Sequence, residues 1–386
     1  MHPKLIIMDT NFTNYLHTTR YTINCVCCGK EHSIQESQSF CTACGHGFPL
    51  EVNYWEYSPI VQLPYYLIDL VQAIPSSLVK LEHFSDKFNA RIFAKCENEL
   101  PTGSFKHRGS VIEVMTAKQY GFDTIVCAST GNMGVSLAAL CARHRLKLIL
   151  FVPKTTPTPK LAAARKYGAT IQYVEGAYSQ CEVEASDYAK HSNCFLAGDY
   201  YLRAEGAKLV AAEILTQLNN EVPDMILVPS GVGTNASAIA KGFIELASGG
   251  FIDRVPKLVV VQSEECCPII DSLEVGNKVI ANRTATLCSA TSVADPYDYL
   301  KVKKYVDLTD GFGLRVSDKD ILISSKKLAE IESIDAELSG AMPLAALDQI
   351  KDKIIGKSVV ILITGAGYKD IHIQEEEYLK LLKINI

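Results

Sequence analysis

The stretch Asn98-Glu99-Leu100-Pro101-Thr102-Gly103-Ser104-Phe105-Lys106-His107-Arg108-Gly109 is rich in turn residues and runs into helix-forming sequence, which places Lys106 near a helix amino terminus. A lysine amine in its neutral form condenses with an aldehyde, and the helix dipole and the adjacent Arg108 are the two sequence features expected to act on it there. Taken alone, Lys106 reads equally as a surface lysine at the start of a helix. Ser129-Thr130-Gly131-Asn132 follows an apolar run and precedes another helix, so its amides and hydroxyls suit a carboxylate, or else simply cap that helix. In Pro229-Ser230-Gly231-Val232-Gly233-Thr234-Asn235-Ala236-Ser237 the glycines allow successive amides to face one anion, and a phosphate fits. A dinucleotide site is the rival reading, but the loop lacks the usual third glycine and a convincing acidic residue on a following strand.

The cysteines make a second group. Cys25-Val26-Cys27-Cys28-Gly29 and Cys41-Thr42-Ala43-Cys44-Gly45 form two Cys-x-x-Cys-Gly corners twelve residues apart. That spacing suits one tetrahedral zinc ion on Cys25, Cys28, Cys41 and Cys44, each glycine permitting the turn that aims backbone amides at the sulfurs. A metal-free reduced knuckle and a disulfide loop are the competing readings, and Cys27 stands close enough in sequence to replace a ligand. Other cysteines, such as Cys96, Cys127 and Cys141, lie in apolar segments and read as core.

The elements that must position these residues follow from the apolar pattern. Short runs at Ile92–Lys95, Ile125–Ala128, Leu148–Val152, Ile171–Val174, Met225–Val228, Leu258–Val261 and Val359–Ile363 predict strands. Met133–Arg145, Leu161–Tyr167 and Glu205–Leu218 predict helices between them, and the alternation implies an α/β fold with parallel sheets. Residues 20–55 read as a ribbon, and Tyr54–Pro75 as an irregular strap.

With these segments in place, Pro-Thr-Gly-Ser-Phe-Lys-x-Arg-Gly around Lys106 resembles the Schiff-base motif of the threonine synthase family, within the fold-type II pyridoxal phosphate (PLP) enzymes; cysteate synthase is a close relative. The resemblance extends over most of the chain. Ser129-Thr130-Gly131-Asn132 is similar to the family's Ser-x-Gly-Asn loop, and Thr364-Gly365-Ala366-Gly367-Tyr368-Lys369-Asp370 to its Thr-Gly-x-Gly-x-Lys-Asp stretch. Arg203-Ala204-Glu205-Gly206-Ala207-Lys208 matches an Arg-x-x-Glu-Gly-x-Lys stretch, and Glu337-Leu338-Ser339 stands where relatives place an acid near the cofactor. The resemblance implies a tryptophan synthase β-like fold of two three-layer α/β domains with an amino-terminal zinc ribbon. It divides the chain into 1–55 with the ribbon, 56–112 plus 203–386 as the large PLP-binding domain, and 113–202 as the small substrate-binding domain. It makes Lys106 the catalytic and PLP-bonding lysine, with Asn132 on the cofactor's 3-hydroxyl, Gly231, Val232, Gly233, Thr234 and Asn235 around its phosphate, and Thr364 at the pyridine nitrogen. Ser104, Ser129, Thr130 and Gly131 would meet the substrate, and the basic patch of Lys154, Lys160 and Arg165 its phosphate. A hydroxyl at the ring nitrogen favours elimination over transamination.

The reaction so implied converts O-phosphohomoserine and water to threonine and phosphate by β,γ-elimination and replacement. A cysteate synthase-like exchange of O-phosphoserine's phosphate for sulfite, a serine or threonine dehydratase, and a zinc-ribbon interaction protein with a degenerate PLP body are the alternatives. His107 departs from the motif, which has Asp after the lysine, and it puts an imidazole where a carboxylate is usual.

Bulk properties agree with a globular protein. At 386 residues the chain exceeds one core, and hydrophobic residues make up 48% and charged residues 21%. A net charge of -5 without long basic runs argues against a nucleic-acid surface, and no apolar run is long enough for a membrane span. No secretory signal is recognisable, so the expectation is a cytoplasmic homodimer acting on a small phosphorylated amino acid.

Overall fold

A computed structural model describes residues 21–380 except 35, 37, 55–74, 282–284, 372, 375, 378 and 379. Most of the strap therefore lies outside the described residues. Three strands, β1 (Tyr21–Cys25), β2 (Glu31–His32) and β3 (Leu50–Tyr54), form an antiparallel ribbon in the order β2-β1-β3.

Behind the ribbon stand two further sheets. One contains β4 (Leu78–Lys80), β5 (Arg91–Cys96), β10 (Met225–Pro229), β11 (Lys257–Ser263), β12 (Phe312–Val316) and β13 (Ser358–Ile363), in the order β12-β11-β10-β13-β5-β4. The other contains β6 (Thr124–Ala128), β7 (Lys147–Pro153), β8 (Thr170–Val174) and β9 (Phe195–Leu196), in the order β8-β7-β6-β9. Every pairing in these two sheets is parallel except β4 with β5. The central strands read as unbroken apolar runs because helices cover both faces: β6, β10 and β13 are buried at every position. All seven expected strands are present.

Three strands gave no apolar run to read. β12 carries Gly313 and Arg315 and is half-buried at an edge, while β4 and β9 span three and two residues. The helix expected over Glu205–Leu218 starts earlier and is broken: α6 (Tyr201–Ala207) and α7 (Leu209–Gln217) meet at Lys208. The first of the two lies in a close helix contact. Helix α2 (Lys106–Gln119) packs on α6 so tightly that a Cβ on Gly109 would run into Arg203, and one on Gly206 into the Arg108 carbonyl. Only glycine permits backbones to approach so closely.

The ribbon is part of the body's core. Ile23, Ile34, Leu50 and Val52 pack in one cluster with Ile112, Ile125, Leu137 and Tyr201. A buried polar knot fastens β3 from the other side: Tyr54 donates to Glu205 at 2.6 Å, and Lys241 to the Val52 carbonyl at 2.6 Å and to Glu205 at 2.5 Å. Among the described residues no helix is long and apolar enough to cross a membrane.

Candidate active site

Each loop singled out in the sequence lies at the carboxyl end of a parallel strand, the edge where such sheets bind ligands. The loop after β5 leads through Ser104 into α2, which begins at Lys106. The loop after β13 begins at Thr364, and the two are stitched together: the Phe105 amide donates to the Thr364 carbonyl at 2.9 Å and the Ala366 amide to the Gly103 carbonyl at 3.0 Å. Lys106 and Thr364 are thereby brought side by side. Ser129 through Gly131 follow β6 and lead into α3 (Asn132–His144), where the Ser129 hydroxyl accepts the Gly134 amide at 2.9 Å. The Gly231 loop follows β10 and enters α8 (Thr234–Ser248).

The surroundings of Lys106 differ from expectation. Arg108 does not face it: this buried guanidinium makes four short bonds to Glu97 and Glu213, at 2.6 to 2.8 Å, and is neutralised there. Lys95, fully buried, joins the same knot through Glu213 at 2.6 Å. The charge that meets Lys106 Nζ is a carboxylate, Asp199 Oδ1, at 2.5 Å. Burial raises the Asp199 pKa, but the Lys106 and Arg203 charges outweigh it and hold the group below the usual range. Arg203 organises this corner. It donates to the Lys106 carbonyl at 2.9 Å, to the Gly198 carbonyl at 3.0 Å and to Ser110 at 3.2 Å, and it pairs with buried Glu113.

His107 turns away from the site. Its ring is buried against Thr102, with Nδ1 3.3 Å from the hydroxyl, and burial followed by the Arg108 charge lowers its pKa to about 4. At neutral pH it is an uncharged packing residue.

Asn132 and Thr364 converge on a third group, Glu337. Asn132 Nδ2 donates to Glu337 Oε2 at 2.8 Å, and Thr364 Oγ1 to Glu337 Oε1 at 3.0 Å. Complete burial, reinforced by Asp370, raises the Glu337 pKa to about 7. The phosphate loop is less free than its sequence implies, because the Thr234 hydroxyl donates to Asp298 at 2.6 Å. Asp298 is itself paired with Lys301 at 2.8 Å.

Whether these residues fit a polar cofactor can be read from atoms left without partners. Ser104 Oγ, Ser230 Oγ and both side-chain polar atoms of Asn235 are buried and make no hydrogen bond among the described residues. Unpaired buried polar groups are costly, and here they cluster at the loops beside Lys106 and Gly231, so a phosphate-bearing ligand with a polar ring fits. Lys154 and Arg165 are elsewhere in their bonding: exposed Lys154 pairs with Glu175, and Arg165 donates to the Tyr173 hydroxyl at 2.6 Å. The Lys160 side chain lies outside the described residues.

In the ribbon, the ligand atoms of Cys25, Cys28, Cys41 and Cys44 all lie within 4.8 Å of one another. The Cys27 and Cys28 amides point at the Cys25 sulfur at 3.4 and 3.5 Å, and the Cys44 amide at the Cys41 sulfur at 3.4 Å. Gly29 and Gly45 close the turns at φ 74° and 93°. Cys27 is exposed and outside this group. Four sulfurs so disposed fit a tetrahedral zinc ion.

Sequence reading missed Asp199, Glu97 and Glu213. Asp199 follows a strand of only two residues, and its one local signal is its place four residues before Arg203.

A lysine at a helix start, an anion loop and a polar cradle on the carboxyl edge of a parallel sheet define a cofactor-dependent α/β enzyme, and the family described as pyridoxal-phosphate dependent enzyme matches residues 71–365. The chain belongs to that family and is a PLP-dependent enzyme. Curated relatives are threonine synthases. That of Methanocaldococcus jannaschii is 34% identical, over 72% of this chain and 71% of its own. That of Methanosarcina acetivorans is 28% identical, over 91% of this chain and 92% of its own. Among solved structures, threonine deaminase isoform 2 of Solanum lycopersicum superposes with a TM-score of 0.70 at 22% identity, covering 81% of this chain and 92% of that one. A serine ammonia-lyase of Rhizomucor miehei also gives 0.70 at 22% identity, covering 80% and 98%. These structures share the fold-type II architecture.

Proposed function

We propose that the chain is a threonine synthase-like enzyme, converting O-phosphohomoserine and water to threonine and phosphate. The observation that carries the reading is the stitching of the Lys106 loop to the Thr364 strand end, beside buried polar atoms that have no partner among the described residues. Bound PLP supplies an electron sink for the bond broken at the substrate's α carbon. Lys106 Nζ would hold it and would move protons at the substrate. Asn235 and the amides of Gly231, Val232 and Gly233 would receive its phosphate, with Thr234 fixing the loop through Asp298. Asn132 would meet its 3-hydroxyl and Thr364 its ring nitrogen.

In this reading Ser104, Ser129, Thr130 and Gly131 orient the substrate carboxylate. Lys154 and Arg165 take the substrate phosphate by giving up exposed partners, Glu175 and the Tyr173 hydroxyl; for Lys154 this costs little, because a surface ion pair contributes about 0–1 kcal/mol. The segment 113–202 then acts as the small substrate domain against 56–112 and 203–386, and zinc on the four cysteines stiffens the ribbon of 1–55. The test compares product formation from O-phosphohomoserine alone with that from O-phosphoserine plus sulfite. Threonine and phosphate from the first support the reading; cysteate from the second, with no threonine from the first, overturns it.

A further inference from the structure

Beside Lys106, on the far side of Asp199, lies a small cavity walled by Tyr178, Tyr200, Tyr297, Leu196, Glu182 and Asp199. Its walls come from distant parts of the chain. Tyr178 and Glu182 belong to α5 (Tyr178–His191), and Tyr178 is anchored by donating to the Ala128 carbonyl at 2.6 Å, just before the Ser129 loop. Tyr200 and Tyr297 are held from behind by Phe40 of the ribbon, whose ring meets theirs edge-on at 5.4 and 5.1 Å. Glu182 has no hydrogen-bonding or ionic partner among the contacts of the described residues, and its carboxyl is raised to about 7 by burial and by nearby Asp199 and Asp295.

The chain itself shows what such a place accepts. An ammonium, Lys106 Nζ, sits on Asp199 Oδ1 at 2.5 Å and 5.0 Å from the Phe105 ring centre. When Lys106 is engaged by the cofactor that ammonium is withdrawn. The nearest remaining guanidinium, Arg203, is 3.7 Å from Asp199 and is already committed to Glu113. The wall of the cavity then carries the Asp199 and Glu182 carboxyls together with three tyrosines, a combination that attracts a small cation.

We infer that this cavity, of about 10 Å³ and so just large enough for one water-sized guest, is a subsite for the ammonium ion, held between Asp199 and Glu182 beside Tyr178, Tyr200 and Tyr297. The role of Lys106 as cofactor lysine rests on the function proposed above, but the subsite itself does not require it. In the cofactor-free chain Lys106 occupies the Asp199 end and competes with an added cation.

The experiment is calorimetric titration of the full-length, cofactor-free chain with ammonium chloride, methylammonium chloride and, at equal ionic strength, potassium chloride. Lys106→Ala should bind ammonium about tenfold more tightly than the wild type, with potassium much weaker. Adding Glu182→Gln to that variant should weaken binding by about tenfold again, with Glu182→Ala as a second variant should the first fail to fold. Ammonium should bind more tightly than methylammonium, because the added methyl group exceeds a water-sized cavity; the reverse order overturns the subsite. Equal affinity with and without Glu182, equal binding of potassium, or no saturable binding in Lys106→Ala overturns it. Failure of PLP to attach to Lys106 would sink the proposed function and leave this result standing.

Discussion

Arg203 Nη1 donates to the backbone carbonyl of Lys106 at 2.9 Å while its other nitrogen pairs with Glu113, so the helix start that carries the lysine is pinned from beneath by a buried charge. Removing the guanidinium strands Glu113. Arg203→Met should destabilise the chain by about 3 kcal/mol, since breaking one partner of a buried pair leaves an uncompensated charge. Denaturant unfolding measures this, and Arg203→Met combined with Glu113→Gln should recover much of the loss.

Glu337 provides a pH signature. Its folded pKa of about 7 lies above the ordinary 4.5, so the folded chain binds the proton more tightly than the unfolded chain. Stability contributed by this group is therefore full below about 4.5 and falls as pH rises towards 7. Relative to wild type, cofactor-free Glu337→Gln should lose less stability across that window. Unfolding curves at a series of pH values decide it; parallel curves for the two proteins would count against the assignment.

His107 should show the opposite sign. Its folded pKa of about 4 lies below the ordinary 6.5, so the unfolded chain takes up the proton first and stability falls as pH drops from 6.5 towards 4. His107→Asn should flatten that acid limb. Because the ring is neutral and faces Thr102, the same variant should keep the cofactor absorbance of the wild type at pH 7.

Those two residues also show what the sequence carried and what it did not. The carboxyl-edge loops were legible, because continuous apolar runs such as β6 and β13 mark buried parallel strands and each chemical motif follows one directly. Lys106, Asn132 and Thr364 could therefore be placed at the carboxyl ends of parallel strands, Lys106 and Thr364 on one sheet and Asn132 on the other. The partners could not. Asp199 stands 93 residues from Lys106, and Glu213 stands 105 from Arg108, separations at which no local pattern operates. Arg108 and His107 were given roles by adjacency to Lys106, yet side chains of neighbouring helical residues point in different directions, and both turn into buried contacts instead. The close approach of Gly109 and Gly206 was hidden for a related reason, since it joins two helices far apart in the sequence.

The ribbon should depend on its metal. With four sulfurs within 4.8 Å and a core shared with the body, protein purified without chelator should contain one zinc per chain. Cys41→Ser, or exhaustive chelation, should lower the melting temperature by several degrees, roughly the shift expected for a loss of 1–2 kcal/mol in a chain of this size. Clearly less than one equivalent by metal analysis, with no change on chelation, contradicts the site.

The central claim is that Lys106 is the residue that holds PLP, and borohydride reduction of the PLP-loaded chain followed by peptide mapping tests it most directly. The account predicts a visible absorbance band that borohydride abolishes, with the reduced cofactor recovered on the peptide containing Lys106 and no band in Lys106→Ala. Absence of the band, or recovery of the label on another lysine, would contradict it.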